Sequence, residues 1–344
     1  ISKSILGQLA ILSDISLGLI AFSIGRHLDF TWLKHDRGLF WTGSVEFVLT
    51  TIVVSGFITL LGWSFISALL IGIIAATTSP AVILLVARDL SSEGPVTRRT
   101  IALTSMNNFL AITAITLLLP FIDHQSQGLF NILNHTLYGF LGSLVLGFIF
   151  FKILEIVAYY IIGKQKELQL LLLISIIILA IVIAKFLNLF SILVLLIVGI
   201  AARNYDNRHA LMEIDFGWLS HLLFIPFFFI TGCYLDFTGF IESPLIVLTF
   251  IVLRLACQTT SVFLFKNLSV LTRNQAIALA LSLTPLTGLA IDITSKVLNY
   301  SPEIGHSLLV IVSAAIALLG ILGPIITQAV FRKTGESFET FRNV

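Results

Sequence analysis

The chain has 344 residues, of which 57% are hydrophobic and only 11% charged, and its formal net charge at pH 7 is +2. A soluble domain carries about 25% charged residues, so this composition excludes a disordered chain, a coiled coil and almost any soluble enzyme. The small net charge gives no support to nucleic-acid binding. Many apolar runs are long and continuous, which excludes an outer-membrane barrel and indicates an all-α, polytopic membrane protein.

Eleven membrane-spanning helices are predicted in chain order, since a crossing needs about 20 predominantly apolar residues. They cover residues 5–25, 44–62, 66–88, 100–119, 131–160, 168–185, 187–203, 214–235, 244–266, 272–297 and 304–331. An odd number of crossings puts the two termini on opposite sides of the membrane. Most Lys and Arg residues fall on the side of the C-terminus, so the positive-inside rule predicts a cytoplasmic C-terminus and an outer N-terminus.

A short internal repeat relates two parts of the chain at an offset of 207 residues. Residues 22–31 and 229–238 share Phe, Gly, Leu, Asp, Phe and Thr at the same places. The first segment ends a helix that runs inward and the second ends one that runs outward, so the two halves are inverted in the membrane. We therefore predict one repeat half at 1–160, a second at 161–331 and a cytoplasmic exit at 332–344.

Proline interrupts two predicted helices at corresponding places in the two halves. Pro80 lies in helix 66–88 and Pro285 in helix 272–297. Proline removes a backbone donor and clashes with the preceding turn, so each helix should break there, although either proline alone could be a simple kink. Two such breaks favour a transporter with a substrate site near the midplane. The hydroxyl residues beside them are Thr77, Thr78, Ser79, Thr284 and Thr287.

Three segments resemble the cation/proton antiporter superfamily, of the monovalent cation/proton antiporter-2 type. They are residues 18–29 with a Phe-x-x-Gly-x-x-Leu pattern, 75–81 like the family's first broken helix, and the Pro- and Phe-rich segment 224–232. The resemblance implies the sodium/hydrogen exchanger fold, with two crossed broken helices. Members of this type often have thirteen helices, so we expect that two precede Ile1 in the full protein.

The same resemblance implies a function and partners. Such proteins exchange Na⁺ or K⁺ for H⁺ by alternating access, in a core that moves against a dimerisation panel. The core helices here would be 66–88, 100–119, 244–266, 272–297 and 304–331. We expect membrane lipid and a second copy of the chain as partners, with a cytoplasmic regulatory domain or subunit as a further one. No cofactor is expected, and no metal other than a transported monovalent cation.

The predicted ion site departs from the family at its centre. Asn107 and Asn108 stand where relatives carry one or two aspartates. Asparagine can bind a cation through its carbonyl oxygen, but it cannot ionise or carry a proton. Arg254 matches the family's basic position and should lie near the middle of helix 244–266. The usual competition of cation and proton for one carboxylate is therefore not available at this pair.

Two aspartates are candidates for the missing carboxylate. Asp292 follows Pro285 by two helical turns and is a candidate counter-ion for Arg254 and a candidate proton carrier; alternatively it faces the outer vestibule. Asp14 lies mid-helix in 5–25 and is a second candidate proton carrier, or a solvated residue at the panel edge. The alternative role of Arg254 is a salt bridge that only locks helices together. Glu46 is assigned to a helix end, where water suffices. The predicted ion-binding residues are Thr77, Thr78, Ser79, Asn107, Asn108, Thr284, Thr287 and Asp292.

Three functions remain open at this point. The first is a monovalent cation/proton transporter in which Asp292 or Asp14 replaces the missing aspartates. The second is a transport-fold domain that does not exchange and acts as a gated channel or sensor. The third is a transporter of an anion or organic solute, with Arg254 as the charge match. No arrangement of residues indicates an enzyme with a covalent nucleophile.

Overall fold

The computed structural model describes residues 3–123, 129–162, 166–206, 244–286 and 288–337, together with the single residues 211, 229 and 232. Within these ranges every regular element is a helix. Seven stretches among them are long and apolar enough to cross a membrane. The described part of the chain therefore has the predicted all-α membrane fold.

The helices of the described residues have the following bounds. In chain order they are α1 (Lys3–Arg26), α2 (Phe30–His35), α3 (Arg37–Leu60), α4 (Phe65–Ala75), α5 (Pro80–Asp89), α6 (Pro95–Asp123), α7 (Leu129–Val157, continued by a π-helical turn at Ala158–Ile162), α8 (Lys166–Phe186), α9 (Ser191–Asn204), α10 (Pro244–Phe265), α11 (Arg273–Ser282), α12 (Gly288–Tyr300) and α13 (Pro302–Lys333).

Most predicted helices agree with this order, and the differences have local causes. The predicted helix 66–88 is divided into α4 and α5, and 272–297 into α11 and α12, as their prolines indicate. Helix 44–62 was wrong at its start, because α3 begins at Arg37, where the Asp36 carboxylate caps the helix by accepting a hydrogen bond from the Leu39 amide at 2.9 Å. The predicted helix 214–235 lies outside the described residues, apart from Phe229 and Gly232.

The first of two compact units combines residues 1–31 with 116–233. In it, α9 packs against α1 and α7, and α8 packs against all three of these helices. Among the described residues of this unit, Lys185 of α8 pairs with Asp14 of α1, and Arg203 Nη2 of α9 pairs at 2.7 Å with Oδ2 of Asp29, which follows α1. Asp14, a candidate proton carrier, is thus held in a partly exposed ion pair within this unit.

The second compact unit combines residues 32–115 with 234–344. Helix α3 packs against α4 and α10, and α13 packs against α5, α11 and α12. The predicted core helices all fall in this unit, except for the last turns of α6. Each compact unit draws on both predicted repeat halves, so the division into 1–160 and 161–331 describes the repeat and stays a prediction.

Glu336, near the end of the described chain, binds the N-terminus of α6. The Glu336 carboxylate accepts hydrogen bonds from the backbone amides of Val96 and Thr97 at 2.8 Å each, and from the Thr97 hydroxyl at 2.7 Å. A negative charge is favourable at a helix N-terminus, whose first amides have no partner within the helix. This contact fixes the start of the helix that carries Asn107 and Asn108.

Candidate functional site

The candidate site begins with the two helix breaks of the second unit. Helix α4 ends at Ala75 and α5 begins at Pro80, while α11 ends at Ser282 and α12 begins at Gly288. The backbone amide of Ser79 in the first break donates to the carbonyl of Pro285 in the second at 2.9 Å. The two breaks therefore adjoin, and each presents backbone groups that no helix satisfies.

Arg254 lies where the two breaks meet. It projects from α10 and is 0% exposed. Its Nη2 donates to the carbonyls of Thr77 at 2.7 Å and Leu283 at 3.2 Å, with a longer contact to Pro285 at 3.4 Å. These carbonyls follow the C-terminal ends of α4 and α11, where the helix dipoles concentrate negative charge. The guanidinium thus neutralises both helix ends with one cation.

Asn107 and Asn108 are both wholly buried on α6, but they differ in bonding. Asn108 Nδ2 donates to the carbonyl of Thr78 in the first break at 2.6 Å and to that of Thr104 at 2.7 Å. Its Oδ1 has no hydrogen-bond partner among the described residues, and neither polar atom of the Asn107 side chain has one. Asn108 is therefore held against the break with its carbonyl oxygen left available, while no hydrogen bond to a described residue fixes the Asn107 amide.

The predicted hydroxyl residues line the breaks. Thr77, Thr78, Ser79 and Thr284 are all buried. The hydroxyls of Thr77 and Thr284 donate to carbonyls in the last turns of α4 and α11, at 2.7 and 2.6 Å. The Ser79 hydroxyl caps α5 by accepting from the Val82 amide at 3.4 Å.

Two predicted site residues, Thr287 and Asp292, have no described side chain. Thr287 lies outside the described residues. The backbone of Asp292 belongs to α12, but its side chain is outside what the structure describes. The pairing of Arg254 with Asp292 therefore stays a prediction.

Glu46 is a further buried residue near these breaks, although the sequence assigned it to a helix end. Because α3 begins at Arg37 and not at 44, this residue lies well inside the helix and not at its end, and it is 0% exposed. Neither carboxyl oxygen has a hydrogen bond of ordinary geometry to a described residue. The groups that act on the carboxyl are Asn107, Arg254 and Gln258. The cap residue Asp36 directly before Arg37 was the signal that could have placed Glu46 at membrane depth.

These residues make a buried, oxygen-rich cluster beside a fixed cation. Asn107, Asn108 and Gln258 each carry an amide oxygen that has no hydrogen-bond partner among the described residues. Amide, carbonyl and carboxylate oxygens are the groups that replace the water shell of an alkali cation. The cluster is thus chemically suited to bind such an ion within the membrane.

Known proteins with a related sequence pattern or fold give the family of the chain. A family model described as "Sodium/hydrogen exchanger, transmembrane" matches residues 1–333. The fold is similar to a structure of the sodium proton antiporter MjNhaP1 from Methanocaldococcus jannaschii at pH 8, with a TM-score of 0.70, 19% identity, and coverage of 97% of this chain and 87% of that chain. An electron-microscopy map of the same antiporter gives a TM-score of 0.66 and 19% identity, with coverage of 93% and 83%. No curated protein sequence matches the chain.

Proposed function

Because the chain belongs to the sodium/hydrogen exchanger family, we propose that it exchanges a monovalent cation, Na⁺ or K⁺, for protons across a membrane by alternating access. The observation that carries this proposal is the pair of adjoining helix breaks, joined by the hydrogen bond from Ser79 to Pro285 and neutralised by Arg254. Broken helices at corresponding places of a repeat are the usual position of a transporter's substrate site.

The neutral asparagines have a definite role in this proposal. Asn108 supplies its Oδ1 to the cation, while its Nδ2 holds the first break through the Thr78 carbonyl. Asn107 can turn either its oxygen or its amide group toward the site, because the described residues give neither a partner. Both side chains bind the ion without ionising, so the proton must be carried by another group.

Orientation follows from the distribution of basic residues. We place the C-terminal end of α13, with Arg332 and Lys333, on the cytoplasmic side of a plasma membrane. Glu336 then holds the start of α6 on that same side. A cytoplasmic regulatory domain or subunit could act on the ion site through this contact.

Flux in proteoliposomes tests the proposed function. Vesicles that contain the purified protein are given an acidic interior and a pH-sensitive dye, and Na⁺, K⁺ or choline is then added outside. We expect Na⁺ or K⁺ to dissipate the pH gradient, and choline and protein-free vesicles to leave it unchanged. If no alkali cation moves protons, exchange is contradicted, and the anion, organic-solute or channel alternatives take its place.

A further inference from the structure

The Glu46 carboxyl is a buried acid that the proposed exchange does not yet use. It projects from α3 toward α10 and α6, and it is 0% exposed. Burial of a carboxylate without hydrogen bonds is costly, so a group in this position is stable only when a positive charge or a proton neutralises it. The groups around Glu46 therefore determine whether a nearby positive charge or a bound proton neutralises its carboxyl.

The helices around Glu46 carry few ionisable groups. On α10 these are Arg254, which interacts with the carboxyl electrostatically, and the buried thiol of Cys257. Helix α4, which also packs against α3, has no ionisable side chain. On α6 the carboxyl meets the neutral Asn107. Arg254 is thus the one described fixed charge that acts on Glu46.

Arg254 does not form a direct ion pair with Glu46. No salt bridge joins them within the described part of the chain, because the Arg254 Nη2 is directed to the carbonyls of the two breaks. The carboxyl therefore interacts electrostatically with the guanidinium group of Arg254. Both carboxyl oxygens remain available to bind another ligand. Around it, Asn107 and Gln258 carry oxygens that also lack a partner among the described residues.

We propose that Glu46 is the group that releases a proton when the cation binds, in place of the carboxylate that Asn107 and Asn108 cannot supply. This inference rests on the proposed exchange function. On loading, the O–H bond of the Glu46 carboxyl breaks, the proton leaves to the solution on the open side, and the carboxylate oxygen contacts Na⁺ or K⁺. The reverse step occurs on the other side, and no oxidant or reductant takes part.

The charge of the loaded site follows from this assignment. Arg254 keeps its charge in both states, since a guanidinium is not deprotonated in proteins. A protonated Glu46 beside Arg254 and a cation-bound Glu46 beside Arg254 carry the same total charge. Exchange at this site is therefore one cation for one proton and moves no net charge.

Glu46→Gln tests the assignment against a matched control. The control is Glu155→Gln, which makes the same change to a buried carboxyl on α7 that is paired with Lys152. In proteoliposomes we expect Glu46→Gln to reduce cation-driven proton flux by at least about 100-fold, and Glu155→Gln to leave it near the wild-type rate. Equal activity of Glu46→Gln and wild type overturns the role of Glu46, and so does an equal loss in both variants.

Proton release gives a second readout that a purely structural role would not change. Na⁺ or K⁺ is added to the detergent-purified protein in weakly buffered solution, and the pH change is measured. Wild type should release about one proton per bound cation, and Glu46→Gln should release none. Release from Glu46→Gln equal to that of wild type would contradict the proposal.

A third variant covers the case in which Glu46→Gln fails to fold, as judged by size-exclusion chromatography. Glu46→Asp keeps the acid but shortens its reach, so we expect transport to persist with a weaker apparent cation affinity and an altered pH profile. An unchanged affinity and profile would overturn the assignment. If wild type itself exchanges nothing, the proposed function fails; if wild type exchanges and the Glu46 variants behave like it, only the assignment fails.

Discussion

Arg254 is bound through one guanidinium nitrogen to carbonyls of both helix breaks. Its shape matters as well as its charge, because a planar guanidinium can direct several N–H groups at fixed angles and an ammonium acts as a point charge. Replacement by a neutral side chain would leave the carbonyl ends of α4 and α11 without their cation.

Arg254→Lys is therefore expected to destabilise the second unit although the charge is kept. The loss of one or two buried hydrogen bonds to a charged group should lower the free energy of unfolding by about 2–4 kcal/mol. Arg203→Lys is the matched control, since its ion pair with Asp29 is partly exposed and should contribute less than about 1 kcal/mol. Thermal melting in detergent compares them, and equal melting temperatures for Arg254→Lys and wild type would contradict this account.

The sequence locates the residues around the two helix breaks more completely than it locates the buried acid Glu46. Pro80, Pro285, Asn107 and Arg254 could be found because each interrupts an apolar run with an unusual residue. Glu46 has the same property, yet its apolar run was begun at 44, after the true start of α3 at Arg37. An error at a helix boundary thus moved a buried acid to a membrane surface.

At the scale of elements, α13 packs closely against the second helix break, where its Gly323 lies beside Pro285. A Cβ atom added at Gly323 would lie 2.7 Å from Pro285 Cα and 2.9 Å from Pro285 Cβ, nearer than such atoms normally come. One turn earlier on the same helix, a Cβ atom at Gly320 would meet nothing within 4 Å. The close packing of α13 against the second break therefore requires a glycine at 323 but not at 320.

Gly323→Ala and Gly320→Ala should therefore have opposite effects. Gly323→Ala forces α13 and the break apart, and overpacking of this kind costs about 1–3 kcal/mol. Gly320→Ala should be neutral or slightly stabilising, by up to about 1 kcal/mol, because alanine favours a helix interior. Melting temperatures and transport rates of both variants check this; a Gly323→Ala variant that melts and transports like Gly320→Ala would show that the close approach is unimportant.

The division of the broken helices could be predicted because proline acts locally on the backbone. The short helix α2 could not, since its six residues leave no clear periodic pattern. The contact of Glu336 with Val96 and Thr97 joins residues that are far apart in sequence, and no local pattern predicts such a pairing.

For the whole molecule, composition and the spacing of apolar runs were sufficient to predict the membrane fold, and the predicted family is confirmed. The fold likeness to the archaeal antiporter at 19% identity fits this, because a bilayer constrains helix length and polarity more than residue identity. The compact units were not predicted, since each joins segments from both ends of the chain through tertiary packing. The assignment of an ion site to the neutral pair Asn107 and Asn108 stays a prediction.

The measurement that tests the central claim most directly counts both ions in the same proteoliposomes. Uptake of a radioactive alkali cation and loss of internal protons are followed together, with a thiocyanate gradient used to set the membrane potential. The account predicts one proton lost for each cation gained, at a rate that does not depend on the potential. Cation uptake with no loss of protons would contradict exchange and indicate a channel.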